Sequence, residues 1–250
     1  MRVLALGWGV QSFTLAAMVA LGELEHIDAA IHADTLHESQ LTYEFARRWT
    51  PWLQEHNVNV VTVSDPQQAE TGFFISKMLI PVFTLKGQIR GQVWRKCTHR
   101  WKVAPIRRWL QANRSRKPVE QWLGISLDEA LRMTPSRVKY ITLRWPLIEK
   151  RMTRRDCVTW LIQHSLEVPW KSACTFCPYH STQEWRRVRS VPADWGEAVN
   201  VDRALRNAKP PYLSFVHPSR RPLEEINLLA SSKKGQLRLW DEECTGLCGL

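Results

Sequence analysis

Short apolar runs alternate with longer stretches in which apolar residues recur at helical spacing over the first 65 residues. Residues 3–6 are apolar throughout and stop at glycine, which predicts a buried parallel strand. Residues 12–21 carry apolar positions at helical spacing, with Ser12 suited to the N-cap or first turn. Residues 29–33 predict a second strand, stopped at Asp34-Thr35. Residues 40–55, with Tyr43, Ala46, Arg47, Trp49 and Leu53, predict an amphipathic helix that runs through Pro51. Residues 59–63 predict a third strand, ended by Ser64-Asp65-Pro66. Strands alternating with helices imply a parallel sheet covered on both faces. Ligands then bind beyond the carboxyl ends of the strands, where residues 7–12, 34–35 and 64–65 fall.

The pattern is less regular afterwards. Residues 72–93 read as an irregular insertion or a hairpin around Lys86-Gly87. Residues 104–112 predict a basic helix with Pro105 in its first turn. Residues 119–126 predict a fourth strand, followed by Asp128, Glu129 and Arg132, and residues 138–141 a fifth. Helices are expected over 153–164, 181–188 and 195–208, and short strands and loops after Pro210-Pro211. The expected fold class is α/β, a doubly wound, mostly parallel sheet with a C-terminal cysteine-containing helical subdomain. The expected seam lies near residues 143–149, giving an α/β domain over 1–145, with a basic insertion around 72–118, and a cysteine-containing region over 146–250.

The junction of the first strand and helix carries the clearest chemistry. In Gly7-x-Gly9-x-x-Ser12 the glycines let the backbone approach an anion closely. The following helix points its unpaired N–H groups and positive dipole end at that anion. Gly7, Gly9, Val10, Gln11 and Ser12 are therefore the expected phosphate-binding positions, with Gln11 adding an amide and Ser12 a hydroxyl. The Gly-Lys-Ser/Thr of a Walker loop is absent, and so is the third glycine of a dinucleotide fingerprint. A tight structural turn is the competing reading.

Charge adds a partner. The 250 residues hold 35 Lys+Arg against 24 Asp+Glu, a formal net charge of +11. Between Glu70 and Glu120 there are twelve Lys or Arg and no acid, with Trp94, Trp101 and Trp109 interleaved. Such a run predicts a polyanionic partner, DNA or RNA, on a basic face over 77–117. A solvated basic surface is the alternative. No stretch reaches the length of apolar sequence that a membrane helix needs, and the opening residues do not read as a secretory signal, so a cytoplasmic protein without membrane contact is expected.

Six cysteines stand at 97, 157, 174, 177, 244 and 248. In a cytoplasmic protein, metal binding or thiol chemistry is the default over disulfides. Cys174-x-x-Cys177 suits zinc, an iron–sulfur cluster or a redox dithiol. Cys97 and Cys157 would complete a four-thiolate set if they converge on it. Buried, inert thiols are the alternative. His32, His99 and His180 lie nearest these segments and are assigned no role.

Taken in order, these segments resemble the PAPS reductase-like branch of the N-type ATP pyrophosphatases. Residues 5–12 resemble its pyrophosphatase loop, with Ala5 where the family commonly has serine and Trp8 where it has glycine. Ala33-Asp34-Thr35 resembles its second-strand Asp-Thr, and Arg95-Lys96-Cys97-Thr98 with Lys102 and Pro105-Ile106 its Arg-x-Cys-Thr segment. Gly124-Ile125-Ser126-x-Asp128-Glu129, residues 140–149, Arg154-x-x-Cys157 and Lys171-Ser172-x-Cys174-x-x-Cys177-Pro178 complete the likeness.

The resemblance implies an adenine nucleotide alpha hydrolase-like sheet that binds ATP and Mg2+. It implies Asp34 and Thr35 near the nucleotide, and Ser126, Asp128 and Arg132 on its far side. Arg95, Lys96, Arg100 and Lys102 are the cations implied for pyrophosphate, with Ser12, Arg95 and Lys102 in catalysis. It favours a [4Fe-4S] cluster over zinc on Cys97, Cys157, Cys174 and Cys177. The Glu243-Cys244 tail resembles the reductases' C-terminal Glu-Cys-Gly and gives Cys244 an attacking-thiolate role. The expected activity is adenylation of, or sulfur transfer to, nucleic acid, forming AMP and pyrophosphate. A sulfur-donor or complex partner protein would accompany it. The alternatives are a sulfonucleotide (PAPS/APS) reductase, and a non-catalytic nucleic-acid-binding subunit with a degenerate ATP loop.

Overall fold

The computed structural model describes residues 1–65, 67 and 70–228. In chain order, β1 (Arg2–Ala5), α1 (Val10–Ala20), β2 (Ala29–Ala33), α2 (Gln40–Glu55) and β3 (Val60–Val63) precede α3 (Thr71–Ser76), β4 (Phe83–Lys86) and β5 (Ile89–Gln92). A π-helical turn (Thr98–Val103) leads into α4 (Ala104–Asn113), β6 (Val119–Trp122), a 3-10 turn (Leu127–Arg132) and β7 (Ile141–Arg144). Then follow α5 (Pro146–Glu149), α6 (Arg154–Gln163), α7 (Thr182–Ser190), α8 (Pro192–Leu205) and β8 (Leu213–Phe215). No helix among the described residues is long and apolar enough to cross a membrane.

The chain divides into two units. The first holds residues 1–65 and 99–172; the second holds the described residues of 66–98 and 173–228. The division therefore differs from the expected seam near 145. The 66–98 insertion joins the cysteine-containing region, and residues 146–172 stay with the sheet.

The first unit is a five-stranded sheet in the order β3-β2-β1-β6-β7, with every pair parallel. Its two faces follow from strand alternation. Leu4, Leu6 and Ala30 face a core with Phe13 and Leu15 of α1, Phe45 and Leu53 of α2, and Trp160 and Leu161 of α6. Val3, Ala29, Ile31 and Ala33 face the other way, onto Ile106 and Leu110 of α4. Helices thus cover both faces, as the doubly wound class requires. Ser39 caps α2, its Oγ accepting from the Leu41 N–H at 3.3 Å, and α2 continues through Pro51. A capping box of Thr153 and Asp156 starts α6.

β1 and β3 differ from the expected ranges by a single residue, and β6 and β7 by more. β6 ends at Trp122 because the Ile125 N–H donates back to the Leu123 carbonyl at 2.9 Å, turning the chain. β7 begins at Ile141, later than expected. The Ser136 hydroxyl accepts from the Val138 N–H at 3.0 Å, and the Ile141 N–H donates to the Val138 carbonyl at 2.9 Å, so 136–141 form turns despite their strand-like composition.

The second unit is not purely helical. It contains an antiparallel sheet in the order β5-β4-β8, with Gly87 at φ +57° in the β4–β5 turn. The Ser181–Glu184 capping box starts α7. Asp202, buried on α8, organises the next segment. Its carboxylate accepts from the Val216 N–H at 3.0 Å and the Leu223 N–H at 3.1 Å and pairs with Arg206. Trp185 is buried against His180 and His217, ring centroids 4.8 and 6.2 Å apart, and burial lowers the His217 pKa.

Candidate functional site

Strand order reverses direction at β1. The chain goes from β1 to β2 on one side, and β6 lies on the other. A crevice opens at the carboxyl ends of such a pair. Here it is framed by residues 7–12 and 123–129 of the first unit.

Ser12 ties the loop to itself. Its Oγ accepts from the Gly7 N–H at 3.1 Å and donates to the Gly9 carbonyl at 3.2 Å. Gly9 is the N-cap of α1, in extended conformation and with no side-chain cap. Among the described residues, nothing accepts from the N–H groups of Gly9, Val10, Gln11 or Ser12. Four donors at the positive end of an eleven-residue helix form an anion cradle.

Gln11 crosses the crevice. Its amide donates to the Ser126 Oγ at 3.4 Å and to Glu129 at 3.2 Å, and Glu129 pairs with Arg132. Asp128 is engaged elsewhere, accepting from the Arg154 N–H at 2.9 Å at the start of α6. Gly124 permits the approach of the two walls. A Cβ there would meet the Ser12 backbone nitrogen at 2.8 Å.

Trp8 takes φ +57°, a left-handed conformation that suits glycine. Its indole points into the core, 2% exposed, against Phe13, His32 and Phe45 with centroids 6.2–6.3 Å away. Aromatic packing holds the residue in this conformation.

A buried polar network closes the carboxyl end of β2. Asp34 accepts from the Leu36 N–H and the Tyr43 hydroxyl, each at 2.8 Å. Burial and the bond to Asp34 push the Tyr43 pKa up. Thr35 donates to Glu38 at 3.3 Å, as do Ser172 at 3.0 Å and the Lys102 ammonium at 3.2 Å. Burial works against the Glu38 carboxylate, but Lys102, His32 and Ser172 outweigh it and hold its pKa below the ordinary value. Burial lowers the His32 pKa, and its Nδ1 donates to the Leu6 carbonyl at 3.1 Å. A cleft of about 600 Å³ adjoins the loop, lined by Trp8, His32, Asp34, Gln40, Tyr43 and Arg47 among others.

The basic run is divided between the two units. Residues 77–98 belong to the second unit and 99–117 to the first. Arg100 and Arg108 lie 3.2 and 3.7 Å from Asp65, Lys102 pairs with Glu38, and Arg114 stacks over Tyr140. Trp101 is buried and Trp109 packs against the α4 core, whereas Trp94 is exposed. Arg95, in the second unit, lies over Tyr179, 5.7 Å from its centroid.

The cysteines are likewise divided. Cys157 is buried in the first unit, and burial pushes its thiol up to about 12. Without a bound metal a thiol so held stays protonated and unreactive. Cys97, Cys174 and Cys177 belong to the second unit. The Cys177 N–H and the His180 Nε2 both donate to the Cys174 carbonyl, at 3.0 and 2.9 Å. Among the described residues no three His, Cys, Asp or Glu side chains group as a metal site would. Cys244 lies outside the described residues.

The structure thus brings Gly7, Gly9, Val10, Gln11, Ser12 and Ser126 together. Gly124, Glu129 and Glu38 join the site although sequence reasoning gave them no role. Gly124 and Glu129 stood in a motif already noticed, but only their distance to Ser12 and Gln11 shows what they do.

No protein-family model matches the chain, and no curated protein matches it. Among solved structures, it is similar to phosphoadenylyl-sulfate (PAPS) reductase from Candida auris in a phosphate complex, with 15% identity, a TM-score of 0.47, and coverage of 67% of this chain and 74% of that one. The α/β fold itself stands on the sheet order and the two-faced core.

Proposed function

We propose that the chain binds ATP at the β1–α1 loop and uses it to adenylate nucleic acid, or to prepare it for sulfur transfer, with release of pyrophosphate. The observation that carries this reading is the set of four unaccepted N–H groups on Gly9, Val10, Gln11 and Ser12, facing the β1–β6 crevice. A triphosphate is the ligand that uses such a row fully, because several oxygens must be bound at once. The adjoining cleft has the volume for the nucleoside half.

In the reaction, a substrate oxygen attacks the alpha phosphorus and forms a new P–O bond. The bond to the beta-phosphate oxygen breaks, and its electron pair leaves with pyrophosphate. Charge builds on the leaving group, where the backbone N–H groups and the helix dipole stabilise it. Mg2+ bound with the nucleotide would offset part of that charge. Gln11 holds the crevice open at a fixed width through Ser126 and Glu129.

The test is ATP binding by calorimetry, followed by AMP and pyrophosphate release with Mg2+ and DNA or RNA. The expected result is binding that weakens on the order of tenfold in Gln11→Ala and in Ser12→Ala, each losing an interaction with the loop or its ligand. Absence of ATP binding would overturn the reading. Sulfite release from an adenylyl sulfate would make the protein a reductase instead. ATP binding without turnover would leave a nucleic-acid-binding subunit.

A further inference from the structure

Backbone hydrogen bonding in the second unit continues past β5. The Val93 N–H donates to the Val82 carbonyl at 2.9 Å. β5 ends at Gln92, and residues 93–96 continue as non-strand chain tied back to residues 79–82, the Lys96 and Cys97 N–H groups both donating to the Leu79 carbonyl, at 3.0 and 2.9 Å. Gly91, Val93 and Arg95 are half-buried, while Arg90, Gln92, Trp94 and Lys96 are all exposed. Trp94 is 87% exposed. The exposed Trp94 indole lies between Arg90 and Lys96 in the chain, while the Gln92 amide donates to the Pro81 carbonyl at 3.3 Å.

A free indole flanked by cations is an unusual surface. Tryptophan exposed to this degree leaves a large apolar face in water. Residues 77–98 contain five Lys or Arg and no acid, and among the described residues neither Arg90 nor Lys96 forms an ion pair with an acid folded onto it. Arg220 reinforces the backbone beneath it, its guanidinium donating to the Thr84 carbonyl at 3.1 Å and the Gly91 carbonyl at 3.2 Å. β5 is thus rigidly presented.

We propose that Arg90, Gln92, Trp94 and Lys96 form a platform for single-stranded nucleic acid, on which Trp94 stacks against an unpaired base. This rests on the nucleic-acid reading above and narrows it to strands whose bases are open. A duplex keeps its base faces stacked inside, where an indole on a protein surface has no access. An unpaired strand exposes them, and stacking on an aromatic platform between phosphate-contacting cations is how such strands are held without sequence preference. Edge-strand cations also guard against strand pairing. That role explains Arg90 on β5 but neither Lys96 nor the tryptophan between them.

The experiment uses the full chain and a fluorescently labelled oligonucleotide, single-stranded or annealed to its complement, read by anisotropy over a range of salt. The wild type should bind the single strand more tightly than the duplex. Trp94→Ala should weaken single-strand binding about tenfold or more and leave duplex binding unchanged, while Trp94→Phe retains most of the affinity. Arg90→Gln with Lys96→Gln should lower the slope of log K against log salt by about 1.4. Equal single-strand affinity in wild type and Trp94→Ala would overturn the platform while leaving nucleic-acid binding intact. Tighter duplex binding would do the same and favour a ribbon set in a groove. Absence of salt-dependent binding to either form would overturn the nucleic-acid reading itself. Loss of binding with a changed circular dichroism spectrum would assign Trp94 to folding and remove it from the surface.

Discussion

Gly124 stands so close to Ser12 that a methyl group on it would meet the Ser12 amide nitrogen at 2.8 Å, well inside van der Waals contact. Two walls of the crevice touch at that point, and one of them is the loop with the unaccepted N–H groups. Gly124→Ala must therefore move the loop or the turn after β6. The expected cost is about 1–3 kcal/mol of stability. The loss in ATP affinity should exceed that of a surface control such as Gly22→Asn, where the open left-handed position tolerates asparagine. Calorimetry and urea unfolding on both variants would check this.

Trp8 makes opposite demands on two scales. Its backbone favours glycine, while its indole fills the space between Phe13, His32 and Phe45. Trp8→Ala should cost about 3–5 kcal/mol through the lost packing. Trp8→Gly loses the same packing but relieves the left-handed backbone, so it should be more stable than the alanine variant by roughly 1 kcal/mol. Denaturant midpoints of the two variants give the comparison. An alanine variant more stable than the glycine one would show that the loop relaxes out of this conformation.

Glu38 should govern the acid limb of stability in the first unit. Its folded pKa is lowered, so the fold favours the ionised form. That contribution is whole above the unfolded carboxylate's value of about 4.3 and fades as pH falls through the lower folded value. Glu38→Gln should flatten the stability curve below about pH 4.5. At neutral pH it should cost on the order of 3 kcal/mol, the low end for a broken buried pair. Lys102 keeps 34% of its side chain exposed, and water already screens part of the interaction. Unfolding free energy measured from pH 3 to pH 8 would reveal either outcome.

Cys157 should be chemically silent. Its thiol is fully buried and pushed up to about 12, so almost no thiolate exists near neutrality. Mass spectrometry after iodoacetamide treatment of the native protein at pH 8 should find Cys157 unmodified, and modified once urea is added. Rapid native labelling would mean that the α1–α6 contact opens readily.

Much of the first unit could be read directly from periodicity. β2 and α2 have the ranges that the apolar pattern predicts, because each buries one or both faces against a core. The turn from β1 into α1 was legible for the same local reason, since glycine spacing and helix start lie within six residues. Residues 138–141 misled because Val138 and Ile141 have strand composition, whereas the Ser136 hydroxyl turns the backbone between them. The ion pairs within the basic run were not legible either. One-signed charge in sequence says nothing of acids that fold onto it, and Asp65 and Glu38 come from far along the chain to meet Arg100, Arg108 and Lys102. The crevice partners Gly124 and Glu129 depend on contacts more than 100 residues apart, beyond the reach of any local pattern.

Asp202 anchors the second unit in a way that sequence patterning did not suggest. Asp202→Asn keeps the size of the side chain but weakens the pairing with Arg206 and leaves two buried backbone N–H groups competing for one carbonyl oxygen. A loss of about 2–3 kcal/mol is expected. Protection of the Val216 and Leu223 amides from hydrogen exchange should fall with it, and unchanged protection would move the anchor elsewhere.

The pairing of β4 with β8 joins residues 83–86 to residues 213–215, with most of the first unit's sequence emerging from the ribosome between them. During synthesis the β4–β5 hairpin must wait, with one edge bare, while more than a hundred further residues are made. The second unit therefore completes its sheet only after both segments of the first unit, residues 1–65 and 99–172, have been made.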